Sequence, residues 1–146
     1  HVLGFLRVPM QQKKITVDTQ FAPDLPRILV DAKQIEQVIL NVLQNAVDAS
    51  TEGGVVTLAT GLMEEPAQGQ RMPGPCVVMA IRDCGVGISE EQYKHLFEHF
   101  RTDKPGGTGL GLAMSKQIML RHNSEICIEP APGSGTIVRL VFPAHL

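Results

Sequence analysis

The sequence has no run of about 18 apolar residues, so no segment of it reads as a membrane-spanning helix. Its first seven residues lack the basic leader and long apolar stretch of a signal peptide. Cysteine is scarce: Cys76, Cys84 and Cys127 are an odd number, far apart, with no Cys-x-x-Cys pair. That pattern supports neither a disulfide framework nor a zinc site, and the thiols are expected to be reduced, as in a cytosolic protein. Net charge is small as well, 13 basic against 15 acidic residues, and -2 overall leaves no basic footprint for non-specific nucleic-acid binding. A weak overall field does not argue against an anionic ligand, because a few placed donors outweigh it. What remains is 146 residues, 43% apolar and 19% charged, enough for one domain with a real core. The chain opens on His1 rather than Met, and its first residues are expected to be the tail of something longer.

Periodicity divides the chain into strands and helices. Residues 14–20 alternate apolar and polar as a half-buried strand, and residues 27–30, entered through Pro23 and Pro26, read as a second short one. Asp31 with Gln34 forms a capping-box signature, and no Pro or Gly follows until Gly53, which predicts the longest helix. Residues 55–62 and 76–83 are β-branched, apolar runs, separated by a Pro-, Gly- and Gln-rich loop over 64–75. A short helix is expected over 89–97, a polar glycine-rich loop over 101–107, and a helix over 109–122 with Leu110, Ala113, Met114 and Ile118 at helical spacing. Strands over 125–129 and 136–142 flank the turn Pro132-Gly133-Ser134-Gly135. No internal repeat interrupts this order. It predicts an α/β two-layer sandwich, a mixed sheet with helices on one face.

Three segments carry possible chemistry. On the long helix Ile35, Ile39, Val42, Leu43, Ala46 and Ala49 form an apolar face, while Gln34, Gln37, Asn41, Asn45 and Asp48 share a band of about 120°. Asn is a mediocre helix former, and a carboxamide oxygen is a hard ligand suited to Mg²⁺. On its own, Asn-x-x-x-Asn reads first as a solvated polar face, a spacing common by chance. Asp83-Cys84-Gly85-Val86-Gly87-Ile88 ends an apolar strand with an acid and two spaced glycines. Such an acid accepts from an exocyclic amine and so reads adenine, although Asp and Gly also simply build turns. Gly106-Gly107-Thr108-Gly109-Leu110-Gly111-Leu112 runs into a helix, where free amides and the helix dipole make a phosphate site, with Arg101 and Lys104 just upstream. A flexible linker is the bland alternative, in which Leu110 and Leu112 would be wasted. No Walker A loop is present, because no Gly-Lys-Ser/Thr follows.

In order and spacing, Asn41 to Asn45, Asp83-x-Gly85-x-Gly87, Phe97-Glu98-His99-Phe100 and Gly107-Thr108-Gly109-Leu110-Gly111-Leu112 resemble the N, G1, F and G2 boxes of the histidine kinase catalytic domain. That domain belongs to the GHKL ATPase superfamily, and the resemblance runs over residues 13–143. It implies ATP and Mg²⁺ as cofactors. It also implies transfer of the γ-phosphate to a histidine on a separate dimerisation domain, which then feeds a response-regulator aspartate. Asn45 would coordinate Mg²⁺, with Asn41 and Lys104 completing the catalytic set. Asp83 would hold the adenine amine, with Gly85 and Gly87 making room for the ring. Thr108, Gly109 and Gly111 would lie along the phosphates, with Phe97 and Phe100 at the base of a lid over 101–106. Asp48, Ile88, Thr102, Gly107, Leu110 and Leu112 complete the expected nucleotide contacts.

The short lid resembles sensor kinases of the nitrogen-regulation and oxygen-sensing type, which have Thr-Thr-Lys where this chain has Thr102-Asp103-Lys104. Asn123-Ser124 stands where two glycines are usual, and only a turn is expected to change. Relatives that hydrolyse ATP carry Glu where this chain has Asn41, and an amide cannot act as a base. None of the five histidines is followed directly by an acid as the family's acceptor is, and His99 and His122 read as surface or packing residues. Residues 1–12 are therefore expected to be the end of the dimerisation hairpin and linker, and 13–146 the ATP-binding domain. The fragment is expected to be monomeric, its parent homodimeric, cytoplasmic at this domain and open to membrane anchoring elsewhere. A serine kinase for an anti-anti-sigma factor, a nucleotide-gated clamp and a degenerate domain are the competing readings. Cys84 lies inside the expected adenine site and reads as packing, with no base nearby.

Overall fold

The computed structural model describes residues 4, 6–64, 72, 74–95 and 111–145. Helix α1 (Arg7–Lys13) ends where Lys14 turns left-handed, φ 55°. Strand β1 (Thr16–Phe21) follows. Helix α2 (Ala32–Ala49) begins where the Asp31 carboxylate accepts from Gln34 N at 3.1 Å, the cap that its sequence predicts. It stops at Ser50, whose hydroxyl turns back onto the Ala46 carbonyl at 2.7 Å. Strands β2 (Val55–Met63) and β3 (Cys76–Arg82) form an antiparallel pair. Helix α3 (Glu90–Lys94) carries a complete capping box between Ser89 and Gln92. Helix α4 (Gly111–Arg121) and strands β4 (Glu125–Pro130) and β5 (Thr136–Pro143) close the chain.

The five strands form one mixed sheet in the order β1-β2-β3-β5-β4. Only β1 and β2 run parallel, joined through α2 as such a crossover requires; the other pairs are antiparallel. One face of the sheet, with Val56, Leu58, Ile81, Leu140 and Phe142, packs on α2 and α4 residues such as Val38, Val42, Leu43 and Met119. The two-layer α/β expectation therefore holds. Leu6 is only 1% exposed, and Met10 packs on the same core, so α1 is seated on the domain rather than splayed from it. Lys13 adds a polar tie. Its ammonium donates to the carbonyls of Val47, Asp48 and Ser50 at 2.8–3.2 Å, a cation where the helix dipole is negative.

Some expectations need correction. Residues 27–30 are not a strand: Arg27 makes a single bridge with His145, and Leu29 is 79% exposed. Pro23 and Pro26 remove backbone donors and restrict the residues before them, so no ladder extends. On α2, Val38 and Val47 are buried, while Ala49 is exposed. On α4, Met114 is 46% exposed, and Ala113, Ser115 and Met119 are the buried positions. Asn123-Ser124 lie in the turn between α4 and β4. Asn123 takes φ 53°, which Asn tolerates better than most residues, and Ser124 N returns to the Met119 carbonyl at 2.9 Å. His122 joins two helices. Its Nε2 accepts from Asp31 N at 3.1 Å, so Nδ1 carries the proton toward the Ile118 carbonyl at 2.8 Å. The end of α4 thereby supports the start of α2.

Candidate functional site

At one end of the sheet β3 finishes beside the start of β5, and the paired register Arg82 with Ile137 places Asp83 opposite Thr136. Asp83 N donates to the Thr136 carbonyl at 3.0 Å. Asp83 is 5% exposed. Its Oδ1 accepts from Gly85 N at 2.9 Å and from Thr136 N at 3.2 Å. Neither bond uses Oδ2. Burial raises the carboxyl pKa above its ordinary value, and the two backbone donors pull against that rise without cancelling it.

This raised pKa sets the sign of a pH dependence. With the folded pKa above the unfolded one, the native state holds the proton more tightly, so stability falls as pH climbs from about 4 through the folded pKa. Above that point the full penalty of the buried charge persists. Asp83→Asn is therefore expected to be level with the wild type in the most acidic samples and to gain on it as pH rises, as read from urea denaturation. A constant difference across that window would contradict the buried, ionisable role.

Glycines at this end serve close packing. A Cβ on Gly85 would lie 2.1 Å from the Ala49 carbonyl oxygen, so the turn after β3 rests directly on the end of α2. A Cβ on Gly135, whose φ is +95°, would lie 2.2 Å from the Asp83 carbonyl oxygen. Gly87, at φ +83°, packs near Gly135, and Ile88 is half-buried beside it in the chain. Cys84 is a free thiol whose sulfur accepts from Val55 N at 3.3 Å, which favours packing.

The second half of the site lies between α2 and α4. Asn41 and Asn45 are half-buried, and Asp48 is exposed one turn further on. Asn41 Nδ2 donates to Ser115 Oγ at 3.3 Å, and Gln37 Nε2 donates to Asn41 Oδ1 at 3.4 Å. Gln44 Nε2 donates to Asp48 Oδ1 at 2.9 Å. Gly111 lies beside the Asn41 amide: a Cβ there would stand 3.8 Å from Cγ, in ordinary van der Waals contact. Leu112, next along α4, is half-buried. The first asparagine of the stripe and the last glycine of the glycine motif therefore meet, far apart though they are in the chain.

The structure thus joins Asn41 to Gly111, and Asp83 to Gly85 and, through Gly135, to Gly87. Phe97, Phe100, Thr102, Lys104, Gly107, Thr108, Gly109 and Leu110 lie outside the described residues. Sequence reading missed Thr136, Gly135 and Ser115. The first two carried a faint signal, a glycine and a small polar residue closing a turn; Ser115 carried only its place one turn after Gly111.

Among the described residues no group of three or more His, Cys, Asp or Glu is placed to hold a metal on its own. Carboxamides on one helix face still fit Mg²⁺, which takes few protein ligands and completes its shell from phosphates and water. No helix of the described residues is long and apolar enough to cross a membrane.

Residues 30–146 match the family described as histidine kinase-, DNA gyrase B- and HSP90-like ATPase. The chain is 28% identical over 143 residues to sporulation kinase E of Bacillus subtilis (strain 168), covering 98% of this chain and 18% of that protein. It is 29% identical over 155 residues to the cell-division control histidine kinase PdhS of Brucella canis, covering 97% of this chain and 14% of that protein. It therefore spans under a fifth of the length of those two kinases. Among solved structures, the mycobacterial sensor histidine kinase MprB superposes with a TM-score of 0.76 at 28% identity, over 99% of this chain and 92% of that one. The catalytic domain of histidine kinase ThkA gives 0.79 at 25% identity, over 98% and 88%. With the family match covering most of its length, and the sheet and helix layers of a kinase catalytic domain, the chain belongs to the histidine kinase-, DNA gyrase B- and HSP90-like ATPase family.

Proposed function

We propose that this chain is the ATP-binding catalytic domain of a two-component sensor histidine kinase, donating the γ-phosphate of Mg-ATP to a histidine on a separate dimerisation domain. The observation that carries this reading is the meeting of Asn41 with Gly111. It brings the metal-suited amide helix against the helix at whose N-terminus phosphate is favoured. At the other end Asp83 Oδ2 is left over by the two amide bonds and would accept the adenine amine. Asn45 would ligate Mg²⁺, which supplies charge neutralisation to the phosphates when bound. Asn41 would line the phosphate side, and Lys104 would add a point charge. Gly107, Thr108, Gly109 and Gly111 would present backbone donors. Asn41, being an amide, does not activate water, which suits an enzyme that keeps ATP intact until an imidazole arrives.

In this reading residues 1–12 are the end of the dimerisation hairpin and its linker, and residues 13–146 are the catalytic domain. The domain faces the cytoplasm, as a monomer in isolation and within a homodimeric parent. The short segment between the F and G2 boxes supports the nitrogen-regulation or oxygen-sensing subtype.

Mixing the chain with a dimerisation hairpin and labelled ATP tests this. An acid-labile, base-stable phosphate on the hairpin is the expected product, with little ATP turnover when the hairpin is left out. Saturable ATP binding without any labelled hairpin would instead favour a nucleotide-gated clamp.

A further inference from the structure

Helix α4 holds a buried polar side chain to which the nucleotide reading gives no role. Ser115 is 0% exposed and lies one helical turn beyond Gly111. Serine inside a helix is a poorer helix former than Ala and competes for backbone bonds, so its presence on a buried face calls for a partner. That partner is on the facing helix: Asn41 Nδ2 donates to its hydroxyl at 3.3 Å. The Asn41 amide has two further neighbours. Gln37 reaches its Oδ1, and a Cβ built on Gly111 would lie 3.8–4.0 Å from Cγ, Nδ2 and Oδ1, over the amide face.

The last torsion of an asparagine is soft, and its two ends are chemically opposite, one a donor and one an acceptor. A phosphate oxygen is met only by the donor end, a metal or its bound water only by the oxygen. Which end is offered depends on what holds the other. We propose that Ser115 is a positioning residue for Asn41: by taking one of the two Nδ2 hydrogens, while Gln37 holds Oδ1, it fixes which way the carboxamide faces, leaves the second hydrogen for a phosphate oxygen, and ties that setting to the helix on which the glycine motif ends. The inference rests on the nucleotide reading given above, and it adds a determinant of the phosphate side that lies outside the four boxes.

The test compares affinities for Mg-ATP and for adenosine, by calorimetry and NMR titration, in the wild type, Ser115→Ala, Asn41→Ala and the double variant. Ala is the best helix former and fills less space, so the single serine variant keeps its fold. Ser115→Ala is expected to weaken Mg-ATP about 3- to 10-fold, the span of one lost hydrogen bond, with adenosine unchanged because it lacks phosphates. In the Asn41→Ala background the serine change is expected to add nothing, since its partner is already gone. Equal losses for Mg-ATP and adenosine would mean a merely structural role and would overturn the proposal. So would losses that add up when Asn41→Ala itself weakens Mg-ATP, and in that case the nucleotide reading survives. An Asn41→Ala variant that binds Mg-ATP as the wild type does would remove the phosphate-side assignment of Asn41 and this inference with it.

Discussion

Asp83→Asn is expected to lower affinity for ATP by about 1–3 kcal/mol, or about 5- to 150-fold, while leaving the fold at least as stable at pH 7. The two effects separate because the two carboxylate oxygens have different roles. Oδ1 accepts from Gly85 N and Thr136 N, and an asparagine oxygen accepts from them equally well. Oδ2 becomes an amide nitrogen, which meets the adenine amine donor to donor. The change also removes a charge that burial disfavours, so no folding penalty is expected. Asp83→Ala differs: it strips both backbone amides of their acceptor at a buried site, so it is expected to reduce stability as well. Calorimetry with ATP alongside thermal melts resolves the two. Wild-type affinity in Asp83→Asn would remove this residue from the base site.

Gly85→Ala is expected to destabilise the fold itself. The added methyl would need to occupy space 2.1 Å from the Ala49 carbonyl oxygen, and that oxygen belongs to backbone at a helix end rather than to a pliable side chain. Overpacking of this kind costs about 1–3 kcal/mol, and a rigid obstacle puts it at the upper end. For a chain of this size each kcal/mol lowers the melting temperature by about 2–4 °C, so the fall is large enough to read directly. Gly61→Ala is the control, since a Cβ there meets nothing within 4 Å and φ is not positive. It is expected to stay within about 0.5 kcal/mol of the wild type. The same melting temperature in both variants would show that the turn after β3 does not rest on α2 as described. Because Asp83 lies two residues before Gly85, the relaxed variant is also expected to bind ATP more weakly.

Local chemistry made α2 legible. Asp31 caps it, no Pro or Gly interrupts it, and its buried apolar residues recur at helical spacing. The same holds for β4 and β5, whose alternation and glycine turn are written within about 20 residues of one another. What local chemistry does not encode is the order of strands. The insertion of β5 between β3 and β4 is a property of the folded sheet, and it alone sets Thr136 against Asp83. Thr136 was therefore invisible as a site residue, whereas Asp83 announced itself through its glycines. Residues 27–30 misled for a related reason. Their apolar character belongs to a segment packing as it crosses between β1 and α2, where Ile28 and Val30 touch the core without joining a ladder. Met114 misled by helical phase: the apolar spacing on α4 fits more than one rotation, and contact with α2 selects the face of Ser115 and Met119.

The central claim is that one adenine nucleotide spans the two halves of this site, its base at Asp83 and its phosphates at the start of α4. The most direct measurement is a titration of the isotopically labelled chain with Mg-ATP, followed through the backbone amide resonances of residues 83–88 and 107–112. The account predicts saturable shifts in both sets with a single affinity, and shifts in the first set alone when adenosine replaces ATP. Resonances that stay still at saturating nucleotide, or shifts confined to residues away from both segments, would contradict it.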